Sequence, residues 1–286
     1  MPSLIDIRRR VRSVRNTQQI TKAMKMVSAA KLRKAQEKAL AARPYAKVLQ
    51  QMLANVAEAA TQGGEDEPNP LLAVRPEKKV LLVVITADGG LAGGFNANLI
   101  KTAHKFANEN SDKELSFELI GRKGRDYFKR RFPNIAGEHL DMFRHVKFED
   151  AERIAKSIAD RFAKGEIDAV YMFVNEFKSV MSSHIAQTRL LPVEVPKSPA
   201  QADYIYEQPP EEILSSLLPR YLNMQIHRAL LESAAAYLAA RMTAMDAATQ
   251  NANDVIDKLT LYMNRVRQAS ITREIIEVVS GAAALE

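Results

Sequence analysis

The sequence predicts an α/β protein in which the N- and C-terminal helices form a long antiparallel coiled coil and carry an inserted, Rossmann-like open α/β domain. The chain has no Gly or Pro from Ser3 to Arg43, and none from Arg220 to Ser280. Helical patterns much longer than about 25 residues are typical of coiled coils, membrane spans or repeats. Between the two ends, strand-like apolar runs alternate with helical segments, which is typical of an open, largely parallel sheet.

The N-terminal helix is predicted to begin with a capping box at Ser3 and Asp6 and to continue to about Val56. Small or apolar residues recur along it about every 3.5 positions, which indicates a left-handed coiled coil. The predicted seam comprises Leu4, Ile7, Val11, Val14, Gln18, Thr21, Lys25, Ser28, Leu32, Ala35, Ala39, Ala42, Ala46, Leu49, Leu53 and Val56.

The C-terminal helix is predicted from about Glu211 to Leu285 and has a seam with the same period. That seam comprises Met245, Ala248, Ala252, Val255, Leu259, Tyr262, Val266, Ala269, Arg273 and Ile276. We expect the two helices to pair antiparallel, with Leu4–Val14 beside approximately Val255–Val266.

The end of the C-terminal helix is predicted to extend beyond its partner by about 30 Å. The overhang begins near Val266 and carries Ile271, Ile275, Ile276, Val278, Val279, Ala282, Ala283, Ala284 and Leu285. A helix end this apolar requires a socket supplied by other chains. The alternative is that it folds back on the chain's own domain.

Residues 78–195 are predicted to form the α/β domain, with linkers at 61–77 and 196–210 that separate it from helices at 1–60 and 211–286. Strands are expected at Lys79–Thr86, Leu115–Ile120, Asp168–Phe177 and Ser183–Val193, the last antiparallel to its predecessor. Helices are expected at Asn96–Asn108, Lys123–Arg131 and Glu149–Ala163.

Composition excludes several classes of protein. The chain has no Cys, which excludes disulfides, thiolate metal sites and thiol nucleophiles. No apolar run approaches the roughly 20 residues of a membrane-spanning helix. The five His residues have no metal-ligand spacing and there is no catalytic constellation, so no catalytic residue, metal ion or cofactor is predicted.

The positive charge of the chain is concentrated in the first helix. Residues 1–60 contain thirteen Lys or Arg and three Asp or Glu, against a formal net charge of +7 for the whole chain. A basic helix is typical of proteins that bind nucleic acid, anionic lipid or an acidic protein surface. A solvated coiled-coil face is the alternative for any single residue. For the cluster we favour an acidic partner; its members are Arg8, Arg9, Arg10, Arg12 and Arg15.

A Gly-rich turn, Asp88–Asn96, follows the first predicted strand and precedes a helix, where a nucleotide-binding loop would lie. Its glycines at 89, 90, 93 and 94 do not match G-x-G-x-x-G, and there is no Gly-Lys-Ser/Thr of a phosphate loop. We therefore interpret the segment as a tight strand-to-helix turn.

The last segment, residues 271–284, resembles the C-terminal signature of the gamma subunit of bacterial F-type ATP synthases. That signature reads Ile-Thr, one residue, Glu, two residues, an acid, three residues and Gly-Ala; its fixed positions are filled by Ile271, Thr272, Glu274, Glu277, Gly281 and Ala282. The segments 264–270, 6–8, 13–27 and 88–96 also resemble the family. Two positions depart from its pattern: Gly89 stands where a basic residue is usual, and Lys25 where an acidic residue is common.

The resemblance implies a non-catalytic rotor subunit. The coiled coil would be the central shaft with its apolar tip in the sleeve of the alpha–beta hexamer, and the α/β domain would be a foot that contacts the epsilon subunit and the c-ring. The shaft would couple proton flow through the c-ring to ATP synthesis or hydrolysis on the hexamer. The delta subunit would be an indirect partner, and the chain would lie at the cytoplasmic face of the cell membrane, reached through partner subunits alone.

The resemblance also implies contact residues. Arg267, Gln268 and Thr272 are expected to contact the beta subunit, with Met24 and Lys25 across the helix pair. Further expected contacts with the hexamer are Glu274 and Ile275, and, for acidic loops of the sleeve, Arg8, Arg9 and Arg12. An ordinary coiled-coil surface is the alternative for each.

Two other function classes stay open on sequence alone. A nucleic-acid-binding coiled coil would rest on the basic helix and would show salt-dependent retention on DNA. A Rossmann-type nucleotide-binding enzyme would rest on the Gly-rich turn and would bind nucleotide saturably. Neither explains the apolar overhang.

Overall fold

The computed structural model describes residues 3–63, 69–194 and 206–283. The helices are α1 (Leu4–Gly63), α2 (Phe95–Glu109), α3 (Arg122–Phe128), α4 (Phe148–Ala163) and α5 (Pro210–Ala283), with a short 3-10 helix at Pro70–Leu72; the strands are β1 (Lys79–Ile85), β2 (Glu114–Ile120), β3 (Ile135–His139), β4 (Ala169–Phe177) and β5 (Ser183–Leu191). Residues 64–68 and 195–205, which include parts of the two segments interpreted as linkers, lie outside the described residues, as do Ala284 and Leu285 of the predicted tip.

The described residues belong to two compact units, Met1–Ser28 with Met242–Glu286, and Ala29–Arg241. The second unit contains a five-stranded sheet of order β3-β2-β1-β4-β5. Strands β1 to β4 are parallel, and β5 pairs antiparallel with β4. This confirms the predicted open, largely parallel sheet, although β3 was not predicted.

The sheet is covered on both faces, because successive side chains of a strand point to opposite sides. In β1, the residues Leu81, Val83 and Ile85 lie in a core with α4 and with parts of α1 and α5. Val80, Leu82 and Val84 lie in a second core with α2 and the end of α3. The strand therefore reads as a continuous apolar run, as expected for a strand buried on both faces.

Helix α1 begins as predicted: the backbone N–H of Asp6 donates to the Ser3 hydroxyl at 3.3 Å. Every predicted seam residue of α1, from Leu4 to Val56, is buried or half-buried. The 3.5-residue period therefore identified the inward face of this helix correctly.

In the first unit, three side-chain contacts fix the register between α1 and α5. Gln18 Nε2 donates to Asn253 Oδ1, the Thr21 and Thr249 hydroxyls lie 2.8 Å apart, and Lys25 Nζ donates to Asp246 Oδ1 at 2.6 Å. Numbers rise along one helix as they fall along the other, so the pairing is antiparallel. Extending this register places Leu4 opposite about residue 267, which agrees with the predicted alignment.

The predicted seam of α5 is wrong by one residue at alternate positions beyond Ala252. Val255 and Tyr262 are each 42% exposed, whereas Ile256 and Met263 are half-buried. Leu259 and Val266 are half-buried as predicted, whereas Ala269, Arg273 and Ile276 are exposed; Ser270 is the last half-buried residue. The seam thus continues through 256, 259, 263, 266 and 270.

Because the chain has no Cys, disulfide formation can test this register. We expect Ile7→Cys with Met263→Cys to oxidise to an intramolecular disulfide, since both positions lie on the seam and the register places them side by side. The shift in mobility on a non-reducing gel measures it.

The matched control is Ile5→Cys with Leu261→Cys, two positions on the exposed surfaces of the same helices, 77% and 63% exposed. Disulfides that form only between copies of the chain would contradict the antiparallel pairing.

Candidate interaction site at the helix ends

The end of α5 is an unpaired, apolar helix surface. Residues 271–281 are all exposed, and the aliphatic side chains among them, Ile271, Ile275, Ile276, Val278 and Val279, are 49–72% exposed. An exposed apolar surface of this kind marks an interaction site.

This helix end is amphipathic. At 3.6 residues per turn, the five aliphatic residues and Thr272 share one side, and the charged residues occupy the other. The charged groups on the other side find partners within the helix itself. Ser270 Oγ donates to Glu274 Oε1 at 3.1 Å, and Arg273 Nε lies 3.3 Å from Glu277 Oε1. The apolar side is the part that lacks partners among the described residues.

The expected contact residues of α5 divide between these two sides. Gln268, Thr272 and Ile275 follow one another at helical spacing along the apolar side, and all three are exposed. Arg267 and Glu274 lie toward the charged side, also exposed. By the register above, Arg267 and Gln268 stand where the partner helix α1 begins.

The basic cluster on the first turns of α1 is exposed throughout: Arg8, Arg9, Arg10, Arg12 and Arg15. Of these, only Arg9 forms an ion pair among the described residues, with Asp6 at 3.3 Å. Arg8 and Arg12 are one helical turn apart and present their charges to solvent, so this surface can attract an acidic partner.

Met24 and Lys25 lie on the partner helix α1, away from Arg267 along the coiled coil. Lys25 is paired with Asp246, which is 21 residues before Arg267 on the same helix, or about 30 Å along its axis. Both side chains are half-buried. The register therefore places them in a part of the coiled coil that is separate from Arg267, Gln268 and Thr272.

The Gly-rich turn is held by its own side chains. The Ala87 N–H donates to Asn96 Oδ1 at 2.9 Å, and Asn96 Nδ2 donates to the Gly89 carbonyl at 3.2 Å. Gly93 has a φ of 53°, which a residue with a side chain rarely adopts. These features support the interpretation as a tight strand-to-helix turn.

The position where an open α/β sheet normally binds nucleotide is filled by the protein itself. Such ligands bind at the carboxyl ends of the strands where the strand order reverses, here between β1 and β4. Tyr237 of α5 is buried beside this turn: a Cβ added at Gly89 would overlap its hydroxyl, and its ring packs against Phe95 at 5.6 Å between centroids. Sequence reasoning missed Tyr237; the available signal was a lone aromatic residue in the Ala-rich run 234–240.

With this geometry established, comparison with known proteins identifies the family. The family model described as ATP synthase matches residues 3–285. The chain is 60% identical to the ATP synthase gamma chain of Solibacter usitatus and 50% identical to that of Pelotomaculum thermopropionicum, over the full length of each chain. This chain belongs to the ATP synthase gamma chain family.

Solved structures agree with the family assignment. The central stalk and c-ring structure of Tetrahymena thermophila mitochondrial ATP synthase contains a chain with a TM-score of 0.64 and 28% identity, covering 80% of this chain and 99% of that one. A chain of the Euglena gracilis mitochondrial ATP synthase rotor has a TM-score of 0.69 at 16% identity over 94% of this chain and 98% of that one, which shows the shared fold. The gamma chain family gives no support to a DNA-binding or a Rossmann-type enzymatic function. None of the described helices combines the length and apolarity needed to cross a membrane.

Positions 25 and 246 are expected to require opposite charges, in either order, for full stability of the chain. Both side chains are about 40% exposed, so the pair contributes about 0.2–1 kcal/mol. Lys25→Glu or Asp246→Lys alone places like charges together and should lower the free energy of unfolding, and the double variant should recover most of the loss. Denaturant unfolding of the dilute full-length chain measures all three.

The exposed neighbour Lys22 provides the control, since Lys22→Glu should leave stability nearly unchanged. A double variant no more stable than either single variant would show that the two groups do not interact.

Replacing glycines in the turn should have effects that depend on position. Gly89→Ala should lower the free energy of unfolding by about 1–3 kcal/mol, because the added methyl group overlaps Tyr237. Gly90→Ala is the matched control and should be nearly neutral, since its nearest side-chain atom is Lys123 Cε at 3.9 Å.

Added nucleotide should not restore the stability of Gly89→Ala, because the turn is interpreted as backbone geometry. Calorimetric detection of micromolar ATP or NAD binding to the wild-type chain would contradict that interpretation.

Proposed function

We propose that this chain is the central rotor shaft of a bacterial F-type ATP synthase, a non-catalytic subunit that couples proton flow through the c-ring to ATP synthesis or hydrolysis on the alpha–beta hexamer. It would work at the cytoplasmic face of the cell membrane, as a peripheral subunit that reaches the membrane through its partners. Its membership in the gamma chain family supports this role, as do the central-stalk and rotor structures that share its fold.

The observation that carries the proposal is the apolar side of the α5 end, residues 271–281, which has no partner among the described residues. In the proposed complex the sleeve of the hexamer covers this side. Residues Gln268, Thr272 and Ile275 would then contact the sleeve directly, and Arg8, Arg9 and Arg12 would lie near its acidic loops. Arg267, Met24, Lys25 and Glu274 are further proposed contacts.

A shaft of this kind acts by differential binding. Three identical catalytic sites around an asymmetric helix pair cannot make the same contacts with it, so each site is biased toward a different conformation. The asymmetry is present in the chain: the apolar and charged sides of the α5 end differ, and the basic cluster belongs to α1 alone. ATP chemistry then takes place on the hexamer, and this chain changes only the relative energies of the three states.

The α/β domain, proposed as residues 78–195, would serve as the foot. Its partners would be the epsilon subunit and the c-ring, with delta connected indirectly. The proposed linkers at 61–77 and 196–210 join it to the two coiled-coil helices, 1–60 and 211–286.

Deleting the residues after Ser270 tests the sleeve contact. The truncated chain should bind the alpha–beta hexamer more weakly and support less ATP-driven proton pumping, with its epsilon and c-ring contacts unchanged. Each Ile or Val side chain that becomes fully buried contributes about 1.5–3 kcal/mol, so the affinity should fall by more than about tenfold. Pull-down with purified hexamer and pumping in sealed vesicles measure both quantities.

Point variants separate apolar burial from charge. Ile271→Gln with Ile275→Gln should reproduce most of the loss, whereas the control Arg273→Gln with Glu277→Gln on the charged side should have a smaller effect, since exposed charges are screened. Unchanged hexamer affinity and normal pumping after truncation would mean that the helix end has no socket in the hexamer.

A further inference from the structure

We propose that Tyr237 is a positioning residue that locks α5 to the α/β sheet and so transmits torque between the helix and the foot. This inference rests on the proposed rotor function and assigns one joint within it. Tyr237, Gly89 and the surrounding residues all belong to the unit Ala29–Arg241.

The contact between α5 and the sheet at this point is made by the Tyr237 ring, which projects from an alanine-rich stretch of the helix. Residues 234–236 and 239 are buried alanines, and Tyr237 between them is 8% exposed. No other Phe, Tyr or Trp occurs in α5 between Tyr221 and Tyr262. Alanine side chains allow the helix to lie close to the sheet, but they project too little to resist rotation of the helix about its axis. The tyrosine ring projects far enough to resist that rotation.

The socket for the ring is formed by three separate segments. Phe95, the first residue of α2, packs edge-on against the ring with centroids 5.6 Å apart. Phe143, from the segment between β3 and α4, also contacts the ring, with centroids 6.1 Å apart. The β1–α2 turn contributes Gly89, at a position where any side chain would collide with the Tyr237 hydroxyl. Arg241 Nη1 donates to that hydroxyl at 3.2 Å and fixes the ring from the helix side.

The ring and Gly89 fit closely together, because a side chain at position 89 would occupy the space that the ring takes here. Close-packed interiors do not yield to an inserted side chain without displacement. An acidic residue at position 237 would instead pair with a basic residue at 89, so the joint could be rebuilt with opposite charges.

Loss of the ring should spare the fold. Leu214, Leu218, Leu222 and Leu230 of the same helix are buried in the core of the sheet, and Glu232 binds Arg43 of α1 at 3.2 Å. These contacts keep α5 packed on the sheet when the ring is absent, so the chain still folds and assembles. The proposed defect is therefore mechanical, and it predicts loss of coupling with retained assembly.

The test uses the whole complex in sealed vesicles and measures protons pumped per ATP hydrolysed. Tyr237→Leu should lower this ratio below the wild-type value, with hydrolysis and subunit composition unchanged, because the ring contacts with Phe95 and Phe143 are lost. Tyr237→Phe keeps the ring and should keep most of the ratio. Tyr45→Leu, an exposed tyrosine of α1, is the control.

A pair of substitutions that introduce opposite charges at positions 89 and 237 provides a second test in the same assay. Gly89→Arg and Tyr237→Glu should each lower the ratio when introduced alone, and the two together should restore it. A ratio that stays at the wild-type value in Tyr237→Leu would overturn the inference, as would an equal loss of hydrolysis and pumping with incomplete assembly. A wild-type complex that hydrolyses ATP without pumping would instead overturn the proposed function, and this inference with it.

Discussion

The burial of both long helices on one face of the sheet is the contact on which the rest of the structure depends. In the unit Ala29–Arg241, Leu49 and Leu53 of α1 and Leu218 and Leu230 of α5 share one core with β1 and with α4. At about 25 cal/mol per Å² of buried apolar area, this core is the main source of free energy that holds the helices to the sheet. The opposite face is occupied by α2 and α3, so the sheet cannot shift its strand register by one residue without exposing both cores.

A buried carboxylate and its arginine partners fix the alignment of the two helices on the sheet. Glu232 of α5 is 3% exposed, and its Oε1 accepts from Arg43 and from Arg228, each at 3.2 Å. Arg43 also donates to the Phe177 carbonyl at the end of β4, at 2.7 Å. A carboxylate this buried is costly unless such partners are present, so the group favours the one arrangement of α1, α5 and β4 that supplies them. Apolar packing holds the helices on the sheet, and the arginines select how they are aligned.

Most of the fold followed from periodicity, and the differences arise where periodicity is ambiguous. Along α1 the 3.5-residue period identified the seam, although apolar residues such as Ile5, Val27 and Val48 lie off it. In α5 the neighbours Val255 and Ile256 are both apolar, and the choice between them depends on the partner helix. Strand β3 was missed because it is short and contains Gly137, which is required there since a Cβ would overlap the buried Glu118 carboxylate. The apolar end of α5 was also visible in the sequence. The pairing of Lys25 with Asp246 and the socket of Tyr237 were not, because each joins residues that are far apart in the sequence.

The composition of the α5 end carries its own argument for a partner. Ile271, Thr272, Ile275, Ile276, Val278 and Val279 are all β-branched, and β-branched side chains lose rotamer freedom in a helix. A helix end selected only for its own stability in water would favour Ala, Leu, Glu or Lys at exposed positions. β-branched residues are stiff, so they present a fixed apolar shape and lose less side-chain entropy when a complementary surface covers them. Exposure, apolar character and low helix propensity coincide on this segment, and the proposed socket in the hexamer would account for all three.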